Sequence, residues 1–155
     1  VSTLSEREDF IAHYGGVFEH SPWVAARAAQ MLPLPSLHAG LMKVVMDATS
    51  EEQLALIRAH PELAGRAAVD GTLTEASAAE QASAGLDRLS QEEFDRFHAL
   101  NAKFDFPFII CVRLTNKAGI LDAMERRLAN DREAEVAEAL AQIGEIVRLR
   151  LELIA

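Results

Sequence analysis

The sequence predicts an all-α fold, a single-domain compact helical bundle of roughly eight helices over residues 1–155. Three observations predict it. Alanine and leucine are abundant while aromatic residues make up only 6% of a half-hydrophobic chain, a mixture that suits packed helices better than a sheet. Helix-start and helix-stop signals recur along the whole length. The last stretch repeats apolar residues at a three-and-four spacing, the period of one helix face. No fixed repeat, low-complexity tract or linker interrupts the chain, so one domain is the economical reading.

The punctuation places the elements in order. Phe10, Ile11 and Tyr14 form an apolar stripe that stops at Gly15-Gly16. Ser21-Pro22 offers an N-cap followed by proline at the first helical position, opening a helix to about Met31. Ser36 opens a third helix through Asp47, and Ser50-Glu51-Glu52-Gln53 has the form of a capping box. That fourth helix has to stop near His60, because Pro61 disfavours helical geometry in the residue before it. Thr74 caps a helix to about Leu89, and Ser90-Gln91-Glu92-Glu93 is a second capping box leading into Phe94, Phe97 and Leu100. Asn116 or Thr115 caps a helix over 117–129. Asp131 opens the last one, with Val136, Leu140, Ile143, Val147, Leu151 and Ile154 along one stripe. Residues 106–112 are β-branched and apolar, and periodicity alone does not separate strand from helix there. A lone strand would lack a partner, so a buried segment, helical after Pro107, is expected.

Charge and composition exclude several classes. With 24 acidic and 15 basic residues the formal charge is −9, which repels phosphate backbones and anionic membranes, so neither nucleic acid nor membrane is expected as a partner. Cys111 is the only cysteine, which rules out an internal disulfide and a thiolate zinc site. The longest apolar run, 106–112, is far too short to cross a bilayer. The ends carry no secretory or peroxisomal signal pattern, and a cytoplasmic location is expected. There is no Gly-rich phosphate loop and no GxSxG elbow. The histidines (His13, His20, His38, His60, His98) form no i, i+4 pair, so no metal is expected. What remains is acid–base chemistry by histidine and carboxylates, without a cofactor.

Three sets of residues can carry such chemistry. His60 sits at a forced helix end in His60-Pro61-Glu62-Leu63-Ala64-Gly65, and an imidazole both gives and takes a proton near neutrality. The alternative for His60 is a contact with the carbonyls that end a helix. Ser77, Glu80 and Gln81 stand at i, i+3 and i+4, so one helix face presents a hydroxyl, a carboxylate and an amide, either to a polar heterocycle or merely to solvent. Arg148 and Arg150 point to different faces of the last helix. An inward-facing arginine needs an anion from the protein or from a substrate.

The ordered set Phe18-Glu19-His20-Ser21-Pro22-Trp23, His60 to Gly65, Ser77 to Gln81 with Ala84-Gly85-Leu86, Phe97 to Asn101, Phe106 to Ile109 and Glu125 to Asn130, ending in an arginine-rich helix, resembles the OHCU (2-oxo-4-hydroxy-4-carboxy-5-ureidoimidazoline) decarboxylases of urate breakdown. The resemblance covers nearly the whole chain. It implies an all-α fold of that family's type, a homodimer, no metal or cofactor, and the small molecule OHCU as substrate, decarboxylated to (S)-allantoin. It places the catalytic histidine on His60 and its carboxylate partner on Glu80. It places substrate contacts on Pro61, Ser77, Gln81 and Arg150, and on backbone around Phe108, Ile109 and Ile110. In one place the chain departs from the family: only 102–105 separate Asn101 from Phe106, about one helical turn fewer than usual. Two other readings share the fold, a related enzyme acting on another small ureide and a non-catalytic helical interaction module.

Overall fold

The computed structural model describes residues 2–61, 63, 73–83, 85–86 and 90–154, with 100 and 101 described by backbone alone. Among these residues it is all-helical. Eight α-helices are described: α1 (Leu4–Tyr14), α2 (Trp23–Ala29), α3 (Leu37–Asp47), α4 (Ser50–Arg58), α5 (Glu75–Ser83), α6 (Gln91–Asn101), α7 (Lys117–Arg127) and α8 (Arg132–Ile154), with one 3₁₀ turn at Val112–Leu114. Two compact units emerge, residues 1–59 with 147–155, and residues 60–146. No helix among the described residues is long and apolar enough to cross a membrane.

In the first unit α2 packs against both α1 and α3. Its inward residues are small: Val24, Ala25, Ala28 and Ala29 are fully or almost fully buried, and small side chains let helix axes approach. Ser36 caps α3 as expected, accepting from the Ala39 N–H. The capping box of α4 starts one residue earlier than expected, on Thr49 and Glu52. The sequence offers two overlapping boxes, and Gln53 is used differently: its amide donates to the Val45 carbonyl at 2.9 Å, closing the end of α3. Ser21 does not cap α2. Its hydroxyl donates back to the Glu19 carbonyl at 2.9 Å, and the helix starts after Pro22.

The second unit is built around Leu63, Leu86, Phe97, Val112, Ile120 and Met124, with Phe94, Phe108, Ile110 and Leu121 partly buried against them. The Ser90–Glu93 capping box opens α6, Asn116 caps α7 and Asp131 caps α8. Thr74 caps α5, accepting from the Ser77 N–H at 3.2 Å. The expected extension of that helix to Leu89 does not occur: α5 ends at Ser83, because Gly85 takes a left-handed φ of 80°. The N–H groups of Gly85 and Leu86 then bond back to the Ala82 and Gln81 carbonyls, the hydrogen-bond pattern that closes a helix at a left-handed residue. Residues 87–89 lie outside the described set, as do Glu62, Ala64 and Gly65 of the histidine motif. The segment 106–111 is buried as expected but not helical: it is irregular up to the short turn at Val112–Leu114. Two of its peptide groups, the Ile109 carbonyl and the Cys111 N–H, are satisfied by side chains instead, as a buried irregular backbone requires.

Candidate active site

The face of α5 is not a solvated one. Ser77 and Gln81, one turn apart, are each only 5% exposed, and Glu80 between them is half-buried. Buried hydroxyl and amide groups lose water and must find polar partners, so this face is built for polar contact inside the second unit. The same helix packs against the turn at Val112–Leu114, directly after the segment 108–110. Cys111 records the neighbourhood. Burial, with the Glu80 and Glu145 carboxylates adding to it, pushes the Cys111 thiol above its ordinary value. Glu80 therefore lies close enough to the 106–111 segment for its charge to be felt there.

His60 follows the end of α4 and opens the second unit. It is buried, and its Nε2 is shut off from solvent. Leu63, three residues on, anchors the same stretch in the core beside Leu86 and Val112. Pro61 is half-buried between them.

The 106–111 segment is held from α7 and α8. Phe108 and Ile110 are half-buried and Ile109 is buried. Arg127, at the end of α7, donates to the Ile109 carbonyl at 2.6 Å, and its guanidinium lies 4.2 Å from the centre of the Phe108 ring. The same guanidinium pairs with Glu135 and stands 3.1 Å from a Glu138 carboxylate oxygen. Gln142 of α8 accepts from the Cys111 N–H at 2.9 Å. A shallow recess with room for about one water molecule lies along Phe104, Phe106, Phe108, Met124, Arg127 and Glu135. It contains Phe108 but not His60, Ser77, Glu80 or Gln81.

Arg150 belongs to the first unit. It is 5% exposed, while Arg148 is half-exposed and pairs with Glu152 one turn along. Arg150 thus has the inward orientation. Its Nη1 donates to Glu19 at 3.2 Å and to the Val17 carbonyl at 3.3 Å, and Glu19 is itself only 3% exposed. The anion that a buried arginine requires is here a protein carboxylate. His20, next to Glu19, is exposed with a left-handed φ of 46°, a conformation that side chains other than glycine rarely adopt.

Sequence reasoning passed over Glu19, Arg127 and Glu135 as charges. A signal for Arg127 was present: Ile120, Met124 and Arg127 fall at i, i+4 and i+7 and are the buried residues of α7. Among the described residues no group of three His, Cys, Asp or Glu side chains could hold a metal ion.

An all-α chain with a buried polar helix face and a buried imidazole defines a class of helical proteins that enclose polar groups, and comparison with known proteins gives that class its family. The family model of OHCU decarboxylase matches residues 3–152. A 2-oxo-4-hydroxy-4-carboxy-5-ureidoimidazoline decarboxylase of Haloferax volcanii is 41% identical over 151 residues, covering 93% of this chain and 88% of that one. The protein of the same name from Xenopus laevis is 36% identical, covering 93% and 86%. Among solved structures, an (S)-allantoin synthase superposes with a TM-score of 0.74 at 26% identity, covering 96% of this chain and 50% of that longer one. The chain belongs to the OHCU decarboxylase family.

Proposed function

We propose that the chain decarboxylates 2-oxo-4-hydroxy-4-carboxy-5-ureidoimidazoline to (S)-allantoin in urate breakdown, with His60 as its acid–base group and no cofactor. The observation that carries this reading is the buried polar face of α5, Ser77 and Gln81, in a chain that matches the family from residue 3 to 152. The buried imidazole of His60 in the same unit supports it.

The substrate's name sets the chemistry. One ring carbon carries both a hydroxyl and a carboxylate, and the neighbouring carbon carries the ureido group. When CO₂ leaves, its bonding electrons stay with the ring. The hydroxyl then gives up its proton to become the product's carbonyl, while the ureido-bearing carbon gains a proton. Because the carboxylate's charge stays behind with those electrons, on the imidazoline nitrogen, one proton is taken up there from solvent; the other two transfers, one off the hydroxyl and one onto carbon, are those an imidazole serves. His60 takes the hydroxyl proton and returns one to carbon. Glu80 orients the imidazole and stabilises its charged form. Ser77 and Gln81 bind the polar edge of the ring and the ureido group, alongside Pro61 and backbone of Phe108, Ile109 and Ile110. The family resemblance assigns the substrate carboxylate to Arg150, where it would compete with Glu19 for the guanidinium. Protonation from one side yields one enantiomer.

The experiment generates the intermediate from urate with uricase and the following hydrolase, then follows ultraviolet loss and circular dichroism. Wild-type protein accelerates the decay and gives a single-handed allantoin signal. His60→Asn folds but loses acceleration by about 10²- to 10⁴-fold, the usual worth of a general acid–base group. Glu80→Gln keeps shape and loses charge, so it loses less. Retention of most activity by His60→Asn removes the imidazole from the reaction. The family resemblance also supports a cytoplasmic homodimer, which sedimentation velocity reads as a species of twice the chain's mass.

A further inference from the structure

We propose that Arg127 is the positioning residue of the pocket wall, fixing the backbone of Phe108 to Ile110 against which the substrate is held. This rests on the reading of that segment as a substrate-binding wall.

Residues 106–111 belong to no helix or sheet, so no ladder of backbone hydrogen bonds fixes their peptide planes. Arg127 supplies the missing restraint at two points and is itself held by a third contact. Nη1 donates to the Ile109 carbonyl, the guanidinium face covers the Phe108 ring, and Nη2 is held by Glu135. Glu135 is held in turn by the Asn130 amide at 3.2 Å. Both Arg127 and Glu135 are 1% exposed. An apolar side chain could fill that volume without the cost of burying two charges. A planar fork of donors with a stacking face orients a carbonyl and a ring at once, which neither leucine nor lysine can do.

The stretch before the wall is tied to the same corner. Both carboxylate oxygens of Asp105 accept from Nη2 of Arg132, at 2.9 and 3.0 Å, and Lys103 donates to the Leu128 carbonyl at 2.9 Å.

Two variants test the proposal in the full chain. Arg127→Lys keeps a charge and one donor but loses the fork and the stacking face. The pair Arg127→Met with Glu135→Met removes both charges together, so neither is left buried alone, and it carries the test if the lysine variant does not fold. In each folded variant KM for the ureidoimidazoline rises about 10- to 100-fold while kcat falls less, the signature of a displaced binding surface. Amide exchange at 109–112 speeds up by about tenfold or more relative to the middle of α8. The lysine variant falls between wild type and the double variant. A folded variant in which either KM or exchange stays at the wild-type value overturns the proposal. Absence of acceleration by wild-type protein is a separate result: it sinks the functional reading and with it the catalytic meaning of the clamp, while exchange still reports whether Arg127 fixes the segment.

Discussion

Glu52 ties two helices together with one carboxylate. It closes the capping box of α4 with Thr49 and pairs with Arg27 of α2, whose guanidinium also lies over the Trp23 ring at 4.7 Å. The Arg27 hydrogen bond, with the Thr49 N–H adding to it, lowers the Glu52 carboxyl from 4.5 to about 2. Because the folded value is the lower one, this contribution to stability is complete above pH 4.5 and fades as pH falls towards about 2. A carboxyl NMR titration reads it directly, and Arg27→Ala returns Glu52 towards the ordinary carboxylate range. A midpoint that does not move in that variant assigns the shift to the cap instead. At this scale the sequence was legible where spacing and chemistry agreed. Ser77 and Gln81 share a face because they are one turn apart, and burial shows which face it is. Glu19 was not legible, since its partner Arg150 lies 131 residues away and a single sequence carries no measure of that distance.

Helix boundaries followed local chemistry wherever a side chain could reach only one backbone group. Ser36, Thr74, Ser90, Asn116 and Asp131 all cap as read. Ser21 and Ser50 did not, because each had a competing neighbour: the Glu19 carbonyl for one, Thr49 for the other. The end of α5 turned on Gly85, and its consequence is testable. Open space surrounds the position where a Cβ would stand, yet φ is +80°. Gly85→Ala therefore meets no clash and costs only the backbone penalty, about 1 kcal/mol, read as a lowered midpoint in chemical denaturation. No loss of stability would mean that the helix end can be rebuilt without the left-handed residue. The 106–111 segment is where sequence reasoning failed on type. Its apolar run predicted regular structure, but Arg127 and Gln142 each satisfy one of its backbone groups from other helices, and periodicity does not register such partners.

At the scale of the whole molecule, the formal charge of −9 acts on any charged substrate. A carboxylated ureidoimidazoline is an anion, so the protein's mean field opposes its approach. Added salt screens that field, and kcat/KM is expected to rise modestly, by about two- to threefold, between low and physiological ionic strength. A fall instead would mean that a local cationic group such as Arg150 dominates the encounter. The all-helical architecture was legible because composition, caps and period agreed along the chain. The buried stripe of α8 was legible only in part. Leu140, Ile143 and Val147 are buried, but Ile154 is exposed, and the stripe also takes in Glu135, Ala139 and Arg150. Assuming that only apolar residues are buried turned the expected face away from these two charges. The molecule's one cysteine ends the irregular segment, its N–H bonded to Gln142 two residues after the carbonyl held by Arg127. Hidden from solvent and held protonated, the Cys111 thiol is a poor nucleophile in the native state. A disulfide reagent can therefore label it only when that stretch swings open, so the labelling rate of unmodified protein is a built-in clock for how often the wall comes loose.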